Sequence, residues 1–82
     1  MRSQSLAKAF GIVLRKHRKA KRISQEFLAE KADVAVKMVS LIERFERSPS
    51  VNMADSLAQG LGVPLWQLLR EAEEVRSEKA SK

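Results

Sequence analysis

Three observations predict an all-α fold. No stretch of the chain alternates apolar and polar residues with period two, and no Asn-Gly or Asp-Gly pair marks a hairpin. Apolar residues recur instead at three- and four-residue steps, in five successive stretches separated by polar or helix-breaking residues. The length, 82 residues, suits one compact domain, because a second core would have too few residues to close. A chain of this size buries only about 60% of its unfolded surface, so a partner chain is expected to add to its stability.

Each helix follows from its own residues. Leu6, Phe10, Val13, Leu14 and His17 share one face of a first helix, from about Ser5 to Lys21. Ser24 is a favourable N-cap for a second, short helix ending near Lys31, with Phe27, Leu28 and Ala32 inward. Its N3 position carries Phe27 rather than the acid of a capping box. Asp33 and Val34 interrupt the pattern. A third helix runs from about Ala35 to Phe45, with Val39 and Ile42 inward and Met38 at its edge.

Ser48-Pro49-Ser50 reads as a loop ending in an N-cap, since proline disfavours helix at the residue before it. The fourth helix, about Val51 to Leu61, turns Val51, Ala54, Leu57, Ala58 and Leu61 to the core, and Gly62 fits a left-handed stop. Pro64 opens the fifth, whose apolar surface is Leu65, Trp66, Leu68 and Leu69 and which reaches about Val75. Residues 1–75 therefore read as the domain, and 76–82 as a polar, fraying tail.

Composition removes several classes of function. Without Cys there is no disulfide framework, zinc ribbon or thiol nucleophile, and the single His cannot build a metal site alone. No nucleophile–base pair or carboxylate dyad stands at a recognisable spacing, so neither an enzyme nor a cofactor is expected, nor a small-molecule substrate. The longest apolar run, Phe10 to Leu14, is too short for a membrane span or a signal-peptide core. A cytoplasmic protein is expected. The net charge is +6, and all of the excess lies in residues 1–22, which hold eight Lys or Arg and no acid. That asymmetry implies a polyanion partner, either nucleic acid or an anionic membrane surface.

The second and third helices carry the informative spacing. Ala29 is small where two short helices would approach most closely, and Asp33 occupies the turn, where a left-handed backbone is common. Val34, Val39 and Ile42 are apolar at the spacing that packs the third helix across the second. This is the pattern of a helix-turn-helix. With Leu14-Arg15-Lys16-His17-Arg18-Lys19, Ile23-Ser24-Gln25-Glu26, Leu28-Ala29-Glu30-Lys31-Ala32 and Val39-Ser40-Leu41-Ile42-Glu43-Arg44, the chain resembles the lambdoid phage repressor and Cro type of helix-turn-helix protein. Ser48-Pro49-Ser50, Leu57-Ala58, Leu61-Gly62-Val63 and Trp66-Gln67-Leu68-Leu69 extend the resemblance over about Phe10 to Leu69. The size is most similar to controller proteins of restriction–modification systems or small phage and plasmid repressors. Bacterial or phage origin is implied.

The resemblance implies residue roles. Val36, Lys37, Ser40 and Leu41 would reach base edges in the major groove, where Lys37 suits guanine O6 or N7 and Val36 a thymine methyl. Gln25 would clamp the DNA backbone at the start of the second helix. Arg44 and Arg47, with Lys21 and Arg22, would neutralise phosphates, although Glu46 beside Arg44 fits a surface ion pair equally well. Among the cations of the first helix, Lys16 and Lys19 are further candidates. Arg18 and Glu43 would form a structural salt bridge, and His17 a core or interface contact.

Three positions depart from the family. Arg22, Asp33 and Phe45 stand where glycine is common, which costs up to ~1 kcal/mol wherever the backbone is left-handed. Phe45 also puts an aromatic ring beside the DNA backbone or under the fourth helix. Leu61, Leu65, Trp66, Leu68 and Leu69 exceed what one small core needs and are assigned to a homodimer interface. The function expected is a double-stranded DNA-binding transcriptional regulator on a palindromic operator. The alternatives are an antitoxin or other protein-interaction module and, for the first helix alone, a membrane-surface segment.

Overall fold

Serine side chains set where three of the five helices begin. In the computed structural model, which describes residues 5–80 and side chains through Ser77, α1 spans Leu6–Ala20, α2 Gln25–Ala32, α3 Val36–Glu43, α4 Val51–Leu61 and α5 Leu65–Ala80. Oγ of Ser5, Ser24 and Ser50 accepts the N–H of Lys8 (3.1 Å), Phe27 (2.9 Å) and Met53 (3.0 Å). Each bond satisfies a donor that a helix start leaves free. Arg2 of the basic segment and the last two residues of the polar tail lie outside the described residues.

Helices α1 to α4 all end by one device. A left-handed residue follows each: Arg22 (φ 61°), Asp33 (φ 59°), Phe45 (φ 65°) and Gly62 (φ 74°). Its N–H bonds the carbonyl three residues back, and the next N–H bonds the carbonyl five back, as in Asp33 to Glu30 (3.2 Å) and Val34 to Ala29 (3.0 Å). This is the Schellman motif, and it satisfies carbonyls that the helix end would otherwise orphan. Glycine is free to adopt the conformation; Arg, Asp and Phe are strained in it, by roughly 1 kcal/mol each and least for Asp. The three departures from the family pattern therefore all fall on left-handed backbone.

The core draws on every helix. Phe10, Val13 and Leu14 of α1, Leu28 of α2, Val39 and Ile42 of α3, Leu57 of α4 and Leu68 of α5 are fully buried. α1 lies along α5, α2 packs on α4, and α3 rests on α2 and α1. Gly11 permits the α1–α3 approach: a Cβ there would stand 2.5 Å from the Ile42 carbonyl oxygen.

Several positions differ from the sequence reading. Phe27 is exposed, because Leu28, Ala29 and Ala32 define the inner face of α2 and leave Phe27 beside it, its ring 5.6 Å from Lys31 Nζ. Val51, 78% exposed, is the first residue of α4 and projects beyond the core before the helix completes a turn. Leu61 and Leu68 belong to the monomer's own core, so they are unavailable to a partner and leave the expected interface. α5 is helical beyond Val75, as far as Ala80.

Candidate nucleic-acid interface

α2, the turn Asp33-Val34-Ala35 and α3 form a helix-turn-helix hinged on Ala29, which is buried. The Schellman end of α2 stops that helix abruptly, and Ala35 in extended conformation (φ −70°, ψ 140°) starts α3. With Val39 and Ile42 turned inward, α3 presents Val36, Lys37, Ser40 and Leu41 on its opposite side. Val36 is 42% exposed and Lys37 exposed, while Ser40 and Leu41 are half-buried. This valine at the start of a short helix buries only part of its surface against the protein and leaves 42% open. Its apolar surface is free for a partner.

One buried polar network holds this face in place. Arg18 Nε donates to Glu43 Oε2 at 2.7 Å, Nη2 to Oε1 at 3.0 Å, and Nη1 to the Ile23 carbonyl at 2.8 Å. Gln25 Nε2 donates to Glu43 Oε1 at 3.0 Å. Glu43 is only 5% exposed. Its hydrogen bonds to Arg18 push the guanidinium above its already high value, against the opposing effect of burial and with help from the carboxylate charge. A two-point Arg–carboxylate pair fixes orientation as well as distance. It ties the end of α3 to α1 and, through Gln25, to the start of α2.

That network alters what Gln25 offers. One of its two amide N–H groups is committed to Glu43; the second, with the backbone N–H groups that helix geometry leaves free at the first turn of α2, is what Gln25 offers an anion. Lys21, Arg22, Arg44 and Arg47 are all exposed. Arg44 Nη2 stands 3.6 Å from Glu46 Oε1, with both side chains more than half exposed, which is a weak surface pair.

The sequence reading did not identify the link between α1 and α5. His17 Nε2 lies 2.8 Å from Glu71 Oε1, and Gln67 Nε2 donates to Glu71 Oε2 at 3.1 Å. Burial pushes the Glu71 carboxyl up, but the bonds from His17 and Gln67, with the charges of His17 and Lys16, outweigh it and leave Glu71 below its ordinary value. The available signal was His17 on the apolar stripe of α1; its partner, 54 residues away, had none. On α5 Trp66 is 63% exposed, and Leu65 and Leu69 are half-buried. Among the described residues no three His, Cys, Asp or Glu side chains gather into a metal site, and no helix is long and apolar enough to cross a membrane.

A model of the helix-turn-helix family matches residues 14–65. The chain belongs to this family. The match contains the whole α2–turn–α3 unit and both Arg18 and Glu43. Among solved structures, the chain is similar to the clp gene regulator ClgR from Corynebacterium glutamicum, with 28% identity and a TM-score of 0.88 over 95% of this chain and 83% of that one. It is similar to the restriction–modification controller protein C.AhdI from Aeromonas hydrophila at 36% identity, with a TM-score of 0.71 over 77% of this chain and 94% of that one. C.Esp1396I bound to a 25 base pair operator site matches at 26% identity and a TM-score of 0.76, over 87% of this chain and 97% of that one. No curated protein matches the sequence.

Proposed function

We propose that this helix-turn-helix protein is a transcriptional regulator that binds double-stranded DNA sequence-specifically, with α3 in the major groove. The observation that carries the reading is the outer face of α3. Val36 and Lys37 stand free at its start, on a helix locked to α1 and α2 by the Arg18–Glu43–Gln25 network. Lys37 suits guanine O6 or N7, Ser40 can donate or accept, and Val36 and Leu41 suit a thymine methyl. Around this face Lys21, Arg22, Arg44, Arg47 and the first turn of α2 supply phosphate contacts, which position the helix without reading bases.

A twofold dimer completes the reading. Trp66 with Leu65 and Leu69 forms the apolar surface of α5 left uncovered by the core, and we assign the homodimer contact there. Pairing two copies would set two α3 helices about 34 Å apart, one turn of B-DNA, and so select a palindrome. The neighbour C.Esp1396I, bound to a 25 base pair operator site, supports the binding of operator DNA. Selection from a random duplex pool tests the proposal: a palindrome with half-sites about ten base pairs apart is expected. Recovery of no sequence preference would overturn it.

A further inference from the structure

Phe45 sits where the backbone least suits it. Its φ of 65° is left-handed, yet the residue is 46% exposed rather than sheltered in the core. The ring lies against α1, where a Cβ on Gly11 would stand 3.3 Å from it, and Lys8 Nζ stands 5.4 Å from its centroid. A strained residue kept in so exposed a place points toward a role for its side chain.

The ring separates two clefts in the angle between α1 and the end of α3. One, of about 590 Å³, is lined by Arg15, Lys16, Lys19 and Arg44 together with Gly11 and Phe45. The other carries Lys8, Arg47 and the hydroxyls of Ser5 and Ser48. Glu43, the one acid lining either cleft, is already paired with Arg18. Among the described residues Arg15, Lys16 and Lys19 have no acidic side chain within ion-pair distance. Lys19 stands one turn from both Arg15 (i, i+4) and Lys16 (i, i+3), which joins the three along the cleft, and Lys16 at its edge also borders the cleft of Glu71 and Glu74 on the α5 side.

We propose that this cation-lined angle, with Phe45 at its centre, is a second DNA-backbone site that grips phosphates beyond the base pairs faced by α3. It deepens the regulator reading and rests on it. Arg44 caps α3, so the site is continuous with the reading helix. Lys16 and Lys19 meet phosphates as point charges and Arg15 through its planar fork, and the ring of Phe45 covers a deoxyribose between them, a surface that needs no particular base. The contact raises affinity for every sequence alike and lengthens the DNA that the protein covers.

The test uses the duplex recovered by selection, together with the same duplex trimmed at both ends to its half-sites. The full chain is expected to lose affinity and salt dependence on trimming. Arg15→Gln/Lys16→Gln/Lys19→Gln, three exposed changes that leave the core untouched, is expected to bind both duplexes alike. Its log–log salt slope should be shallower by about 3 per half-site, with the preferred sequence unchanged. Phe45→Gly, which relieves the left-handed strain, should also weaken the longer duplex selectively. A triple variant that keeps the native slope and the native response to trimming overturns the second site while leaving the regulator reading intact. If selection enriches no duplex at all, the regulator reading fails and this site falls with it.

Discussion

Arg18 and Glu43, 25 residues apart in the chain, form a two-point ion pair at 2.7 and 3.0 Å with both side chains almost wholly out of water. The pair joins the helix that carries the positive charge to the helix that turns Val36, Lys37, Ser40 and Leu41 outward. Truncating Arg18 would strand a buried carboxylate, at a cost of about 3–5 kcal/mol in unfolding free energy. Arg18→Lys should recover only part of this, since an ammonium cannot reproduce the two-point fork or the bond to the Ile23 carbonyl. Denaturant unfolding of Arg18→Met, Glu43→Leu and the double variant gives the coupling energy. A value above ~1 kcal/mol is expected, and one near zero contradicts the role given to the pair.

Arg22 offers a change in which stability and binding move in opposite directions. Its φ of 61° suits glycine, and its side chain is exposed. Relief of left-handed strain, less the greater freedom of glycine in the unfolded chain, makes Arg22→Gly more stable by up to about 0.5 kcal/mol. Loss of its charge should weaken DNA binding uniformly across sequences. Thermal unfolding and a binding titration of the same variant check both signs.

Much of the fold was legible in the sequence, because caps and periodicity are local. Ser24, Ser50 and Gly62 mark helix ends wherever they occur, and α4 runs Val51–Leu61 as its residues alone indicate. What escaped depends on neighbours distant in the chain. Leu68 and Trp66 are both apolar residues of one helix, but only packing against α1 and α4 decides that Leu68 is buried and Trp66 is not. In the same way, nothing local to Gln25 reveals that its amide turns back to Glu43. The tail after Arg76 is polar on every side, so composition alone gave no reason for α5 to persist to Ala80.

Lys37 is the position on α3 best suited to a hydrogen-bonded base contact. Lys37→Ala should cost roughly 1–3 kcal/mol of discrimination at one base pair of each half-site while the remaining positions keep their preference. Repeating the duplex selection with the variant reads this directly. A uniform loss over all positions would instead make Lys37 a phosphate contact.

Acid stability should carry the signature of Glu71. Its folded carboxyl is held below the ordinary value of 4.5, so its contribution is complete above that value and fades as pH falls through the lower, folded one. Glu71→Gln should therefore flatten the stability profile below about pH 4.5. An unchanged acid limb in the variant would show that the bonds from His17 and Gln67 do not stabilise the ionised form.

In the proposed function α3 reads sequence, and the surrounding cations supply general affinity. The most direct measurement is the ratio of affinities for the selected duplex and a scrambled duplex of equal length at physiological salt. A ratio of at least about 10³ is expected, as specific DNA-binding proteins reach. A ratio near one, with affinity that simply follows salt, would contradict it.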